Sequence, residues 1–338
     1  MDGQVLEAAG RTHDPAENAW LEVRLGPEQA RRRLRLEQAA EMKGLRREAV
    51  ADRSLSAFAK VAIPRLLKAS GMLARGRANA TRIQVVRNVV EIPRLPDALR
   101  GYTLLHITDL HADISVGAMR ALPATLAPLC YDLCVITGDF RGRTYGPVAR
   151  TLELVREAIA QIPTPIFGVL GNHDTARIVP ALEAMGVRML LNECEPVEHG
   201  EARLWIAGVD DPHRYRTDDL ARAMSRIPAG EPTILLAHSI EGVRAAAAAG
   251  VDLMLCGHTH GGQMCLPGSI PIVTGSRMPR SLASGCWRQG VMHGYTSRGV
   301  GTSLVDARFN CPPEVTLHTL RSASAGVSST PESQPRCP

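Results

Sequence analysis

The chain has 338 residues, of which 45% are hydrophobic and 22% are charged, a composition typical of a soluble globular protein rather than of a disordered or fibrous one. The formal net charge is +5, but residues 1–100 carry 19 Lys and Arg against 12 Asp and Glu, and the rest carries 20 against 22. Because the basic surplus lies in the N-terminal third, the charge balance argues against a nucleic-acid enzyme with a positive active-site groove. No nucleic-acid partner is predicted.

The N-terminal part of the chain, residues 1–83, is predicted to be a basic helical extension. Residues 1–20 are polar, and the pattern over residues 28–80 predicts helix. Residues 53–94 hold nine Lys and Arg but one acid, interleaved with apolar side chains, which is typical of an amphipathic helix on an anionic membrane surface. The alternative is a helix packed on the following domain or on another subunit, with a solvated basic face. Because neither an export signal nor an apolar run of membrane-spanning length is present, we expect a cytoplasmic protein that meets the inner face of the cell membrane peripherally.

Residues 84–320 alternate strand and helix patterns, and residues 321–338 form a Ser- and Pro-rich tail that we expect to be disordered. The predicted strands, in chain order, are Gln84–Ile92, Tyr102–Thr108, Leu133–Thr137, Ile166–Leu170, Arg203–Val209, Thr233–Ala237, Asp252–Cys256 and Val315–Leu320. The predicted helices between them are Val116–Pro128, Pro147–Ala160, Thr175–Met185, Thr217–Arg226 and Ile240–Ala249. This alternation predicts an α/β domain with a largely parallel sheet, in which ligands bind beyond the carboxyl ends of the strands.

Chemically active side chains follow five of the predicted strands. In chain order these segments are Asp109-Leu110-His111, Gly138-Asp139, Gly171-Asn172-His173-Asp174, His238 and Gly257-His258-Thr259-His260. Side chains two apart in an extended segment point the same way, so we expect the Asp109/His111 pair and the His258/His260 pair each to grip one ion. Imidazole, carboxylate and amide ligands suit Mn²⁺, Fe, Zn²⁺ or Co²⁺ rather than Ca²⁺. Seven such ligands exceed the need of one tetrahedral site and fit two octahedral ions that share a bridging carboxylate.

The order of these motifs resembles the calcineurin-like metallophosphoesterase superfamily, over about residues 100–320. The stretch Gly261-Gly262-Gln263 after the last histidine is similar to a bacterial subgroup that includes membrane-associated phosphodiesterases and a UDP-2,3-diacylglucosamine pyrophosphatase. The resemblance implies a four-layer α/β/β/α sandwich of two mixed sheets, preceded here by the N-terminal helices. This modifies the single-sheet prediction, because pattern alone cannot separate one sheet from two.

The resemblance also implies a role for each motif residue. Asp109, His111 and His260 would hold the first metal, and Asn172, His238 and His258 would hold the second. Asp139 would bridge both ions. His173 would face the substrate as a general acid, and Asp174 would orient its ring. The implied cofactors are two divalent metal ions, Mn²⁺ before the other candidates.

Three further residues are predicted to contact the substrate. Asp211 and His213 lie in a loop after the strand Arg203–Val209, on the expected ligand side, and a simple Asp-Pro turn is the alternative. Arg308 is a candidate phosphate contact, with a surface arginine as the alternative. The subgroup has Pro two residues before this arginine, where the present chain has Asp306.

Together these features predict a metal-dependent phosphoester hydrolase that cleaves a phosphodiester or pyrophosphate bond by a metal-bridged hydroxide. The expected substrate is a phosphorylated small molecule, a nucleotide-sugar or a lipid. The alternatives are a phosphomonoesterase or cyclic-nucleotide phosphodiesterase on the same site, and a scaffold of the same fold that has lost catalysis. A protein Ser/Thr phosphatase is disfavoured, because the segment after Asp139 lacks the second acidic residue of that group's motif.

Overall fold

The computed structural model describes residues 19–49, 63–163, 165–268, 270–271, 279–303 and 305–322. The named helices are α1 (Ala19–Leu25), α2 (Pro27–Ala49), α3 (Met72–Ala80), α4 (Val116–Leu126), α5 (Ala149–Ile159), α6 (Val179–Ala184), α7 (Leu220–Met224) and α8 (Val243–Ala248). Residues 63–69 are also helical. The strands are β1 (Gln84–Ile92), β2 (Thr103–Ile107), β3 (Leu133–Thr137), β4 (Ile166–Val169), β5 (Val187–Met189), β6 (Glu193–His199), β7 (Ala202–Gly208), β8 (Thr233–Leu236), β9 (Leu253–Cys256), β10 (Cys265–Leu266), β11 (Ile270–Pro271), β12 (Gly285–Gln289), β13 (Met292–Thr296) and β14 (Glu314–Ser322).

Two six-stranded sheets form the centre of the domain. The first has the order β1-β14-β2-β3-β4-β5, and the second has the order β12-β13-β9-β8-β7-β6. The first sheet is parallel except where β14 pairs with β2. The second is parallel through β7, β8, β9 and β13, with antiparallel strands at both edges. Both sheets are therefore mixed.

The strands alternate their apolar side chains between two cores, which defines the layers. In β3, Leu133 and Val135 point into the core between the two sheets, whereas Cys134 and Ile136 point into the core under helices α4, α5 and α6. A third core lies on the outer face of the second sheet, against α7 and α8. Side chains alternate between the faces of a strand with period two, so each sheet is buried on both sides. The layers are helix, sheet, sheet and helix, which confirms the α/β/β/α prediction.

The first two helices pack against the domain. Leu21 and Leu25 of α1 and Ala30 of α2 are buried in the helix-covered core of the first sheet. Arg24 of α1 donates from Nη1 to Glu183 Oε1 at 2.6 Å and from Nε to Glu193 Oε1 at 2.9 Å. In this part of the extension the packed-helix alternative therefore holds.

All eight predicted strands are present, with ends shifted by at most two residues. Six strands were not predicted: β5, β6, β10, β11, β12 and β13. The five predicted helices are present but shorter, and the segment predicted as Thr175–Met185 begins as a 3-10 turn, Ala176–Ile178, before α6. Helix α1 precedes the stretch 28–80 that was predicted to be helical. A turn at residues 70–71 interrupts that predicted helix, with Gly71 at φ 71°.

The C-terminal strand β14 extends to Ser322, so the predicted tail boundary at residue 321 is two residues early. Residues 323–338, and residues 50–62 of the predicted basic helix, lie outside the described residues.

Candidate metal centre

The seven predicted ligands lie beyond the carboxyl ends of strands from both sheets. Asp109 and His111 follow β2, Asp139 follows β3, and Asn172 follows β4, all in the first sheet. The remaining three, His238, His258 and His260, follow β8 and β9 in the second sheet. Since the two sheets pack face to face, these ends meet, and the structure brings all seven side chains into one cluster.

The first group consists of Asp109, His111 and His260, whose ligand atoms all lie within 4.8 Å of one another. The Nε2 atoms of His111 and His260 are 3.0 Å apart. Asp109 Oδ1 lies 3.7 Å from His111 Nε2 and 3.4 Å from His260 Nε2. One carboxylate oxygen and two imidazole nitrogens thus point at one small volume, where a cation could bind all three.

The second group consists of Asp139, His238 and His258, joined by Asn172. The Nε2 atom of His238 lies 3.1 Å from Asp139 Oδ2 and 3.0 Å from Asn172 Oδ1. The same Asp139 Oδ2 is 3.5 Å from His111 Nε2 of the first group. One carboxylate oxygen therefore stands between the two groups.

Left-handed backbone turns aim the ligands. Asp109, His111, Asp139, His258 and His260 all have positive φ, between 41° and 74°. Such values are rare for residues other than glycine and cluster at functional sites, where the surrounding structure enforces them. The extended-segment argument for the His258/His260 pair is therefore wrong. The two rings diverge, His260 to the first group and His258 to the second, as the family resemblance implied.

Hydrogen bonds to the chain fix the far side of several ligands. Because a carbonyl can only accept, the 2.8 Å contact between His238 Nδ1 and Thr137 O makes Nδ1 the donor, so Nε2 is the ring nitrogen that faces the centre. Asp109 Oδ2 accepts from Thr108 Oγ1 at 3.0 Å and from the His258 amide at 2.9 Å. Its other oxygen, Oδ1, remains available to bind a metal ion. Such outer contacts orient metal ligands and raise their affinity.

Three candidate site residues each have a buried side-chain atom without a hydrogen-bond partner, which agrees with a site that binds metal ions. Within the described residues, these atoms are Asp109 Oδ1, His111 Nδ1 and His258 Nε2. An unpaired buried polar atom is costly, so a native site supplies a partner. Two carboxylates, four imidazoles and one amide oxygen form a donor set suited to borderline divalent cations.

The electrostatics of the centre call for positive charge. Burial alone would raise the pKa values of Asp109 and Asp139, yet both are lowered, chiefly by His260 and His238 respectively. Burial likewise opposes protonation of His238, but Asp139 raises the pKa of His238 to about 10. Burial lowers the pKa of His258 to about 4. The carboxylates thus stay ionised, and either protons or cations must balance them.

His173 stands beside the first group, with its ring centroid 5.0 Å from that of His111. Its Nδ1 donates to the carbonyl of Gly142, and its amide donates to Asp139 Oδ1 at 2.8 Å. Asp174 instead accepts from two backbone amides, Arg141 N at 3.1 Å and Gly171 N at 2.9 Å. The ring is therefore oriented by Gly142, which corrects the prediction that Asp174 orients it. The carboxylate of Asp174 ties together the loops after β3 and β4.

The loop after β7 brings one of its two predicted residues to the centre. The His213 ring lies 4.2 Å from that of His258, centroid to centroid, and its Nδ1 is 2.5 Å from Glu241 Oε1. Asp211 is fully buried and caps a turn, accepting from the amides of residues 213, 214 and 215. The structure thus places His213 beside a ligand and gives Asp211 the turn role that was the alternative.

Arg308 is fully buried rather than exposed. Its guanidinium donates to the carbonyls of Gly301 at 3.1 Å, Arg298 at 2.7 Å and Gly299 at 3.0 Å. These contacts brace the 298–301 loop, whose Gly299 lies against Asp109. The surface-arginine alternative is wrong. Nη2 of Arg308 also lies 3.4 Å from Nδ1 of His260, so the side chain borders a predicted metal ligand, and its contact with a phosphate stays a prediction.

Three residues in or around the candidate site were not identified from the sequence. The Gly142 carbonyl carries no side-chain signal, and Glu241 sits three residues after His238 without a recognisable motif. Arg33, described below, lies in a run of three arginines. Its position in the helix could have indicated burial, because Ala30, Arg33 and Glu37 recur at helical spacing on the buried face of α2.

Comparison with known proteins agrees with this geometry. The calcineurin-like phosphoesterase family matches residues 102–262. Phosphodiesterase YaeI of Escherichia coli is 32% identical over 209 residues, covering 56% of this chain and 70% of the relative. The metallophosphoesterase YkuE of Bacillus subtilis is 27% identical, covering 72% of this chain and 87% of the relative. A metallophosphoesterase of Aquifex aeolicus is 27% identical, covering 71% of this chain and 92% of the relative.

The matched region spans β2 to the turn that carries His260, and so contains all seven predicted ligands. The chain therefore belongs to the calcineurin-like phosphoesterase family and is a metal-dependent phosphoester hydrolase.

Proposed function

We propose that the protein hydrolyses phosphodiester or pyrophosphate bonds at a centre of two divalent metal ions. The observation that carries this proposal is the position of Asp139 Oδ2, 3.5 Å from His111 Nε2 in one ligand group and 3.1 Å from His238 Nε2 in the other. A carboxylate in this position would help to hold both cations and would offset their repulsion. One group would hold an ion through Asp109, His111 and His260, and the other through Asn172, His238 and His258.

When bound, two such cations supply Lewis acidity toward phosphoryl oxygens and toward water. The chain supplies position and a proton. Because Nδ1 of His173 donates to the Gly142 carbonyl, a second proton on this ring must sit on Nε2, from where it can pass to a leaving oxygen. Burial lowers the pKa of His173 to about 4, and an anionic phosphoester bound beside the ring raises it again, since opposite charge favours the protonated form.

The family and one named relative support the proposed substrate class. YaeI is described as a phosphodiesterase, which favours a diester over a monoester. A pyrophosphate within a nucleotide-sugar or a lipid is a phosphoanhydride, and its hydrolysis likewise displaces an oxygen leaving group from phosphorus. Phosphomonoesters and cyclic nucleotides are the competing substrates for this centre.

A substrate panel with Mn²⁺ tests the proposal. Bis-p-nitrophenyl phosphate, p-nitrophenyl phosphate, a cyclic nucleotide and UDP-diacylglucosamine should be compared at equal enzyme concentration. We expect the diester or pyrophosphate substrates to be hydrolysed faster than the monoester, and Asp139→Ala to abolish turnover. Asp97→Ala is the matched control, since Asp97 is an exposed carboxylate whose described partner is Arg100, and it should retain wild-type activity.

Two outcomes contradict the proposal. Wild-type protein loaded with metal but no more active than Asp139→Ala would favour the scaffold alternative. If the monoester were cleaved faster than every diester, the protein would be a phosphomonoesterase and not a phosphodiesterase. Reconstitution with Mn²⁺, Fe²⁺, Zn²⁺ and Co²⁺ separately would identify the ion, and we expect Mn²⁺ to give the highest activity.

We also propose that the basic segment within residues 53–94 contacts an anionic membrane surface. In its described part, Arg65, Lys68 and Arg75 are exposed, and the apolar side chains of Leu66 and Met72 are 68% and 42% exposed. Each basic side chain near an anionic surface contributes about 1 kcal/mol, and exposed apolar side chains add insertion. Among the described residues, no helix combines the length and hydropathy needed to cross a bilayer.

Vesicle flotation tests the membrane proposal. Deleting the first 80 residues would remove Leu21 and Leu25 from the core, so point variants are the better perturbation. Leu66→Asp combined with Lys68→Glu should release the protein from phosphatidylglycerol vesicles, whereas Arg150→Glu, on an exposed basic residue of α5, should not. The membrane proposal would be contradicted if the wild-type protein bound phosphatidylcholine vesicles as well as phosphatidylglycerol vesicles. It would also be contradicted if the two variants bound phosphatidylglycerol vesicles equally.

A further inference from the structure

A buried ionic network joins the N-terminal helix α2 to the catalytic domain. Arg33 is 0% exposed. Its Nη1 donates to Asp210 Oδ1 at 2.6 Å, its Nη2 donates to the Asp174 carbonyl at 2.9 Å, and its guanidinium lies 3.8 Å from the centre of the Tyr215 ring. The buried guanidinium can hydrogen-bond to several neighbours at once, because its N–H donors are held in a rigid planar fork.

Glu37, one helical turn later, completes the network. Its Oε1 accepts from Arg33 Nε at 2.7 Å and from the Ala176 amide at 2.8 Å. Its Oε2 accepts from the Thr175 hydroxyl at 2.5 Å. The carboxylate therefore bonds both to its neighbour on α2 and to two consecutive residues of the loop after β4.

The residues held by this network are those next to the metal centre. Asp174, Thr175 and Ala176 directly follow Asn172 and His173 in the chain. Asp210 begins the loop that carries His213 to the ring of His258. One turn of α2 therefore contacts one loop from each sheet, the loop after β4 and the loop after β7. Each of these loops also carries a side chain that lies at the candidate metal centre.

We propose that Arg33 and Glu37 are positioning residues of the catalytic centre, which fix the loop after β4 and, through it, the backbone position of His173. This inference rests on the proposed function. Buried ion pairs are weak devices for stability, since their desolvation offsets their attraction, whereas a catalytic group must be held within about 0.5 Å of its working position. A displacement of about 1 Å can cost about 100-fold in rate.

The leaving-group dependence of the rate tests the inference. A p-nitrophenyl leaving group departs without much help, whereas a phenyl leaving group needs a proton from the acid. For Glu37→Ala we expect kcat to fall about tenfold or more for the phenyl diester but much less for the p-nitrophenyl diester, with KM unchanged for both. Glu37→Gln should restore most of the loss, because an amide oxygen and nitrogen still reach Ala176 and Thr175.

The matched control is Arg24→Met, which removes the ion pairs of α1 with Glu183 and Glu193, at a distance along the chain from the catalytic loops. It should lower the unfolding temperature without changing the ratio of the two rates. Mn²⁺ affinity, measured by titration calorimetry, should be the same in wild type, Glu37→Ala and Arg24→Met, which separates mispositioning from metal loss.

The outcomes separate the inference from the function on which it rests. Inactive wild type overturns the proposed phosphodiesterase. Active wild type whose rate ratio is unaffected by His173→Gln overturns the acid role of His173. If both of those hold, the positioning role fails when Glu37→Ala keeps the wild-type ratio, or when Arg24→Met changes it equally.

Discussion

Replacing Arg33 with methionine is a direct perturbation of the network between α2 and the domain. Methionine fills similar volume but supplies no charge, so the fully buried Asp210 loses the guanidinium at 2.6 Å. It keeps one described side-chain partner, the Thr217 hydroxyl at 2.6 Å. Glu37 keeps its contacts with the loop and loses one donor.

The magnitude follows from burial. Breaking a buried ion pair by removing one partner costs about 3–5 kcal/mol, out of a total stability of about 5–15 kcal/mol. Arg33 is 0% exposed and has two carboxylate partners and one carbonyl, so we expect about 4 kcal/mol, within that range. The Arg24 side chain and its partners are 15–33% exposed, and Arg24→Met should cost about 1–2 kcal/mol.

The cost should depend on pH with a defined sign. Burial holds the pKa of Asp210 above its ordinary value, against the opposing charge of Arg33, and removing Arg33 raises it further. A carboxyl whose pKa is higher in the folded state binds protons more readily when folded, so its variant loses stability as pH rises through that pKa. The deficit of Arg33→Met should be smaller at pH 5 than at pH 8.

Urea unfolding followed by tryptophan fluorescence, at both pH values and at fixed metal concentration, gives these energies. The double variant Arg33→Met with Asp210→Asn removes both charges. It should be more stable than the sum of the single losses predicts, by about 2 kcal/mol. A loss below about 1 kcal/mol for Arg33→Met, or a coupling energy of zero, would refute the reasoning.

Three further predictions concern the metal centre. Chelation of the bound metal should lower the Tm by several degrees, and added Mn²⁺ should restore it in a concentration-dependent way, because the ionised carboxylates of Asp109 and Asp139 lose their counter-charge; a Tm indifferent to chelator would contradict this. Mn²⁺ binding should release about one proton near pH 7.5, because the pKa of His238 is raised to about 10 without metal; calorimetry in buffers of different ionisation enthalpy measures it, and identical enthalpies would count against it. Gly257→Ala should weaken Mn²⁺ binding about tenfold or more, because its Cβ would lie 2.1 Å from Thr108 Oγ1 and 2.3 Å from Asp109 Oδ2; Gly242→Ala, with no atom within 4 Å, is the control and should bind normally.

The elements that were predicted share a simple signal. Strands such as β3 and β9 are unbroken apolar runs between turn residues, because both faces of the sheet are buried. The missed strands lack that signal. Strand β6 lies at an edge, mixes charges with apolar residues and contains Pro196. Strand β5 is only three residues long.

The candidate site was more predictable in residue type than in geometry. Asp, His and Asn at strand ends were sufficient to predict a cluster of candidate metal ligands, because parallel strands direct their carboxyl ends to one place. The separation of His258 from His260 depends on left-handed turns enforced by neighbouring loops, which no local period encodes. Arg33 was hidden for a related reason. A charged residue on a helix is predicted to face solvent unless the loops that cover it are known, and Arg33 is buried.

The central claim is that two metal ions held around Asp139 hydrolyse a phosphodiester. Stepwise addition of Mn²⁺ to metal-free protein, with turnover of bis-p-nitrophenyl phosphate and bound metal recorded together, tests it most directly. We expect activity to reach its maximum when two ions are bound per chain, and Asp139→Ala to remain inactive at every metal concentration. Full activity with one ion bound, or fully loaded wild type no more active than Asp139→Ala, would contradict it.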